Sequence, residues 1–194
     1  MSKNTNAATL QTGRSRGMTT RTIAFCALLA ALNVVLARLV IPMPNAFTRF
    51  SIEAVPTFLA GMLFGPLAGG LVGFVGDFVG CLFSGYGYNP LFCIPPILYG
   101  VCGGFGAFLM KRKVSLPRMI IAFLPAVVLG SILYQSAALS LVYNSKGSFA
   151  ASMTYFLTTR SIQFVITMII DTMLLNLLFK TKIFERIKVW PPNK

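Results

Sequence analysis

The feature that most constrains this chain is a series of apolar stretches between Thr22 and Lys180, separated by short connections that hold many of the basic residues. The first, residues 22–41, is about 20 residues long and at about 1.5 Å per residue reaches roughly 30 Å, the thickness of bilayer hydrocarbon. A cleaved leader has an apolar region of only about 7–15 residues. This stretch instead continues through Arg38 into a Pro-containing loop, so a retained helix is expected. Residues 51–84 exceed the length of one span, about 17–25 residues, and Gly65-Pro66 interrupts them where a helix hairpin would turn. The reading is an all-α membrane protein with six transmembrane helices over approximately 22–41, 51–64, 67–84, 90–110, 118–143 and 152–180. Residues 1–21, polar and rich in Ser, Thr and Asn, are expected to form a flexible cytoplasmic tail, and 183–194 a second one.

The basic residues give a direction to this layout, because Lys and Arg concentrate in short cytoplasmic loops. They cluster in the N-terminal tail, at Lys111, Arg112, Lys113 and Arg118, and at Lys180, Lys182, Arg186 and Lys188. Four expected helices separate the first two clusters and two separate the last pair, so all three fall on one side. Both termini are expected in the cytoplasm, with loops 42–50, 84–89 and 144–151 outside.

Composition closes off other classes. With 56% hydrophobic and 11% charged residues and a mean hydropathy of +0.76, a water-soluble globule is excluded. The 17 Lys and Arg against 4 Asp and Glu do not suggest nucleic-acid binding, since they flank apolar stretches instead of lining a solvated face with aromatics. The absence of His removes Ser-His-Asp and Cys-His catalysis and His-ligated zinc or haem. Cys26, Cys81, Cys93 and Cys102 lack the CxxC spacing of a metal knuckle, so they read as buried small hydrophobes. Neither a metal nor a cofactor is expected.

Polar groups inside spanning helices are costly and are functional-site candidates. Asn33 and Arg38 fall in the outward half of the expected first helix, Arg49 and Glu53 at the entry to the second, and Asp77 near mid-depth in the third. Tyr134, Gln135 and Ser136 fall in the outward half of the fifth, and Arg160 and Gln163 in that of the sixth. Arg38 and Arg49 can also be read as residues that snorkel to headgroups. Arg160, about eight residues or roughly 12 Å into its helix, is too deep for that reading. Asp171 falls near the inward end of the sixth helix and is read as structural. The pattern predicts a pocket open to the outside with several guanidinium groups suited to carboxylates. A deep carboxylate, Asp77, faces the N–H donors of a flat heterocycle, and Tyr86, Tyr88, Phe92 and Tyr99 supply stacking surface or an interfacial belt. Gly61, Gly65, Gly69 and Gly73 recur every four residues, and Gly76/Gly80 and Gly100/Gly104 add further small-residue pairs for close helix packing. Ala27 and Ala31 form a flat strip on the first helix, for internal packing or for docking a partner.

The run from Ala54 to Pro90 (AVPTFLAGMLFGPLAGGLVGFVGDFVGCLFSGYGYNP), after TRFSIE and before PPILYGVCGGFGAFLMKR, resembles the substrate-binding S components of energy-coupling factor (ECF) vitamin transporters, in particular the folate-type ones. The carrying features are Arg49 before the second helix, Pro56 to Gly69, Asp77, Gly85 to Pro90, and Ala27/Ala31, which is similar to the small-residue motif with which such subunits dock. The resemblance covers the first four helices closely and the last third in layout only. Arg49-Phe50-Ser51-Ile52-Glu53-Ala54 departs from the family's second-helix entry, which often reads like R-I-G-F.

The resemblance implies high-affinity capture of folate outside the cell and delivery inward with a transmembrane coupling subunit, EcfT, and two ATPase subunits. The chain itself is then not an enzyme, in keeping with its lack of a phosphate-binding Gly-x-x-x-x-Gly-Lys-[Ser/Thr] loop. In that reading Arg38, Arg49 and Arg160 meet the glutamate carboxylates and Asp77 reads the pterin. Asn33, Gln135 and Gln163 add polar contacts, and Tyr86, Tyr88 and Phe92 form walls. Sister subunits for riboflavin, thiamine, pantothenate and hydroxymethylpyrimidine share the architecture, so the cargo stays open. A stand-alone carrier or an intramembrane enzyme is disfavoured by six helices without evident inverted repeats and by the lack of paired carboxylates.

Overall fold

The computed structural model describes residues 18–39, 41–42, 49–83, 88–110, 114–143 and 147–186. The chain runs through α1 (Thr20–Leu36), a two-residue antiparallel pairing of β1 (Ile41–Pro42) with β2 (Arg49–Phe50), α2 (Ala54–Phe64) and α3 (Pro66–Leu82). A 3-10 turn (Pro90–Phe92) leads into α4 (Ile94–Met110). Then come α5 (Leu116–Pro125), a π-helical segment (Ala126–Tyr134), α6 (Gln135–Val142), α7 (Phe149–Lys180) and the short α8 (Ile183–Arg186). Three segments, 90–110, 116–142 and 149–180, are long and apolar enough to cross a membrane, whereas α1, α2 and α3 are apolar but shorter at 17, 11 and 17 residues.

Element ends differ from the sequence reading for physical reasons. The first helix stops at Leu36 and not near 41, because Pro42 and Pro44 cannot continue it and the chain turns toward β1. Arg38, expected inside that helix, therefore lies in the turn beyond it. Its start at Thr20 is capped by Thr19, whose hydroxyl accepts from the Thr22 N–H. The fifth stretch is not a uniform α-helix. Pro125 has no N–H to donate and its ring crowds the preceding turn. The ladder after it widens to the π pattern, ending where the Gln135 N–H donates to the Gly130 carbonyl.

Glycine welds α2, α3 and α4 together. A Cβ at Gly61 would overlap the Gly100 carbonyl oxygen, and one at Gly100 would overlap the Gly69 carbonyl, so the three backbones touch where side chains would otherwise hold them apart. Gly65 does something different from its neighbours in the four-residue repeat. At φ 98°, ψ 171° it adopts a conformation that only glycine takes readily, and Pro66 opens α3 directly after it.

Below the polar groups lies an aromatic core in which the ring of Phe123 meets Phe58 at 4.7 Å and Tyr99 at 5.2 Å between centroids. The outside is apolar as well: Leu67, Phe108, Ile162, Met173 and Leu177 are each at least 60% exposed. A belt of that kind is covered by lipid and not by water. Along α7, the hydroxyls of Thr158, Thr159 and Thr167 donate to carbonyls four residues back at 2.9, 2.7 and 3.0 Å. Such back-bonding satisfies polar side chains without a partner helix, as hydrocarbon surroundings require.

Candidate functional site

The polar residues singled out in the sequence separate into three groups. Asn33 is buried in α1, and its amide donates to the Glu53 carbonyl at 2.6 Å and to the Thr57 hydroxyl at 2.8 Å. Both of its N–H donors are thus committed to α2, and its oxygen lies against Gly76 of α3. Asn33 thus ties α1 to α2 and lies against α3. Arg38 is exposed and donates to the Gly80 carbonyl in the last turn of α3, where a cation complements the helix dipole.

The second group lies around the entry to α4. Asp77 is half-buried on α3 and lies beside Tyr88 and Cys93. The Tyr88 ring meets Phe78 edge-on at 5.2 Å, and a hydrogen bond with Cys93 is the main cause that pushes its phenol up to about 12, so it stays neutral at physiological pH. Asn89 starts the 3-10 turn by accepting from the Leu91 N–H at 3.1 Å, which leaves Phe92 half-buried. Tyr86 lies outside the described residues. Arg49 lies on β2, paired with Pro42, and β2 packs against α7.

The third group is interior. Arg160 on α7 is 7% exposed, and its guanidinium carbon lies over the Phe164 ring, 5.0 Å from the centroid. Gln163, one turn further, is also buried, and Gln135 is half-buried at the start of α6. Tyr99 reaches across from α4, its hydroxyl bonded to Ser131 of the π segment at 2.8 Å. Asp171, Glu53 and Arg160 all lie within electrostatic reach of that phenol. The structure therefore brings Arg160 and two acids, Glu53 and Asp171, within electrostatic reach of Tyr99, and Glu53 also belongs, through its carbonyl, to the tie made by Asn33. Ser131 was missed, and Asp171 was set aside as a structural residue of the inward end. The signal for Ser131 is Gly130-Ser131 five residues after Pro125, the place where a π segment re-aims side chains.

Small residues mark one further surface. Ala27, Ala30, Ala31 and Val34 of α1 with Val75 and Val79 of α3 line an apolar groove of about 250 Å³.

The chain matches, over residues 17–180, the model of the family described as ECF-type riboflavin transporter, S component. It belongs to this family of S components. It is accordingly a multi-pass membrane protein of the prokaryotic cell membrane, and a substrate-binding transporter subunit instead of a catalyst. This S component is similar to a solved structure described as FolT bound with folic acid, at 31% identity and a TM-score of 0.68, covering 82% of the present chain and 93% of the other. A curated relative, the folate transporter FolT of Clostridium novyi (strain NT), is 29% identical over 99 residues, half of this S component and 56% of the relative's length. A structure described as the S component of a bacterial ECF transporter shares the fold, with a TM-score of 0.50 at 21% identity over 87% of the chain and 95% of the other.

Proposed function

We propose that this S component binds folate with high affinity at a site open to the cell exterior and passes it inward in complex with the coupling subunit EcfT and two ATPase subunits. Similarity to FolT bound with folic acid, 31% over 93% of that chain, carries this reading. The third group supports it chemically, because a buried guanidinium beside the Phe164 ring is suited to bidentate recognition of a carboxylate. In this reading Arg160, with Arg38 and Arg49 nearer the entrance, meets the acidic tail. Gln135 and Gln163 add hydrogen bonds, and Tyr88 and Phe92 form the rim. Asp77 is one candidate for the donors of the heterocycle.

In this reading the six apolar helices cross the bilayer with both termini in the cytoplasm, an orientation supported by the basic clusters. This leaves β1–β2 and the 3-10 turn on the outer side, beside the site. The groove around Ala27 and Ala31 admits close approach of a partner helix and is assigned to the coupling subunit. Riboflavin is the second reading, favoured by the description of the matching family.

Calorimetric titration of the purified protein with folate, riboflavin, thiamine, pantothenate and hydroxymethylpyrimidine tests the assignment. Tight binding of folate alone is expected. Tight binding of another vitamin would keep the transporter class and replace the cargo.

A further inference from the structure

Asp171 has no part in the function proposed above, yet it is the polar residue whose state most needs explaining. Its side chain is 1% exposed, and neither carboxylate oxygen has a hydrogen-bond partner among the described residues. Removing a carboxyl group from water without donors is costly. Buried polar atoms in folded proteins are nearly always satisfied, so a group in this state points to a donor supplied from outside the chain.

Its placement says which kind of donor. Asp171 follows Arg160 by eleven residues, about three helical turns, so the two side chains leave α7 in nearly the same direction roughly 16 Å apart along its axis. Gln163 and Thr167 fall on the same face between them. Tyr99 of α4 lies within reach of both ends of this stripe, and Glu53 at the start of α2 is also within reach of Asp171. One turn beyond Asp171, Leu175 and then Phe179 are buried in the apolar core, so the polar stripe ends there. A cation at one end and an acid at the other suit an elongated ligand with carboxylates at one end and N–H donors at the other.

We propose that Asp171 is the specificity-determining floor of the ligand site, its two carboxylate oxygens accepting from an amino group and an adjacent ring N–H of a flat heterocycle. The inference rests on the ligand class proposed above and divides its two readings. A 2-amino-4-oxopteridine edge offers two neighbouring donors to the carboxylate fork. The imide edge of an isoalloxazine offers one N–H between two carbonyls, and those carbonyls would face the oxygens of Asp171.

The experiment titrates the purified full-length chain, wild type and Asp171→Asn, with folic acid, with pteroic acid, which lacks the glutamate, and with an analogue of folic acid carrying methyl in place of the 2-amino group. Wild type is expected to prefer folic acid over the methyl analogue by at least thirtyfold. Asp171→Asn is expected to weaken folic and pteroic acids alike by at least thirtyfold, to change the methyl analogue by less than threefold, and to keep or raise the melting temperature of the ligand-free protein. The inference is overturned if wild type does not distinguish folic acid from the methyl analogue, which needs no variant to fold. It is also overturned if Asp171→Asn binds all three ligands as wild type does, or if the substitution unfolds the ligand-free protein and so reveals a structural role. Wild type that binds no folic acid removes the ligand reading itself, and this inference with it.

Discussion

The two halves of this molecule solve the same problem, packing helices in a solvent that does not drive them together, by opposite means. In α2, α3 and α4 the backbones touch at Gly61, Gly69 and Gly100, and the polar residue at their border, Asn33, is consumed in a three-helix tie. In α5 to α7 the ladder changes to the π pattern after Pro125, and Arg160, Gln163 and Asp171 are buried on α7. Under the proposed function the close-packed half is the frame, and the half that buries Arg160, Gln163 and Asp171 is the receptive side. A frame on one side and a receptive surface on the other is a sensible arrangement for capture without catalysis.

Breaking the frame has the largest expected effect. Gly100→Leu drives a side chain into the Gly69 carbonyl, and overpacking against backbone that cannot retreat costs about 3 kcal/mol or more. Heating followed by size-exclusion chromatography in detergent should show the folded peak lost well below the wild-type temperature. A wild-type melting curve would show that α3 and α4 are not in contact there.

On the receptive side, Arg160→Gln should leave most of the melting temperature intact while weakening folate about 30- to 100-fold, roughly 2–3 kcal/mol, the scale of a buried hydrogen bond to a charged group. Calorimetry with folic and pteroic acids sharpens the test, because only the ligand with the glutamate tail should suffer. Equal losses for both would move Arg160 from the acid-binding end to the ring.

Asn33→Ala separates the two halves in the opposite sense. It removes both hydrogen bonds to α2 and leaves the Glu53 carbonyl and Thr57 hydroxyl without that donor, for a stability loss of about 2 kcal/mol. Ligand selectivity across a vitamin panel should not change. A shift in selectivity without a shift in melting temperature would return Asn33 to the ligand.

The division between the halves also explains what was legible in the sequence. Apolar length and Gly65-Pro66 were enough to place α2 and α3, because hydrophobic span and backbone-specific residues act locally. The end of α1 was overextended, since Leu39, Val40 and Ile41 are as apolar as the helix before them and only the prolines beyond set the limit. The burial of Arg160 was legible from its depth in the helix. The surroundings of Asp171 were not legible, because its position counted from the end of α7 says nothing about the groups that α4 and α2 bring toward it. The tie made by Asn33 was not legible either, because it depends on Thr57 and the Glu53 carbonyl lying opposite it, a tertiary fact with no local signature.

The mildest expected change lies where the halves meet. Tyr99 of α4 crosses from the welded side to bond Ser131 in the π segment, while its ring rests on Phe123. Tyr99→Phe deletes that bond but keeps the ring, so it should cost about 1 kcal/mol of stability, the net worth of one hydrogen bond, and leave one buried hydroxyl on Ser131 to rotate toward its own helix. If the Tyr99–Ser131 bond only joins the halves, Tyr99→Phe and Ser131→Ala should each lower the melting temperature slightly. The double variant should then do little more than either, and folate affinity should stay within threefold. Additive losses in stability would mean that the two hydroxyls serve separate partners. A larger loss of affinity than of stability would instead place the phenol in contact with the ligand, making the seam between frame and receptive face part of the site.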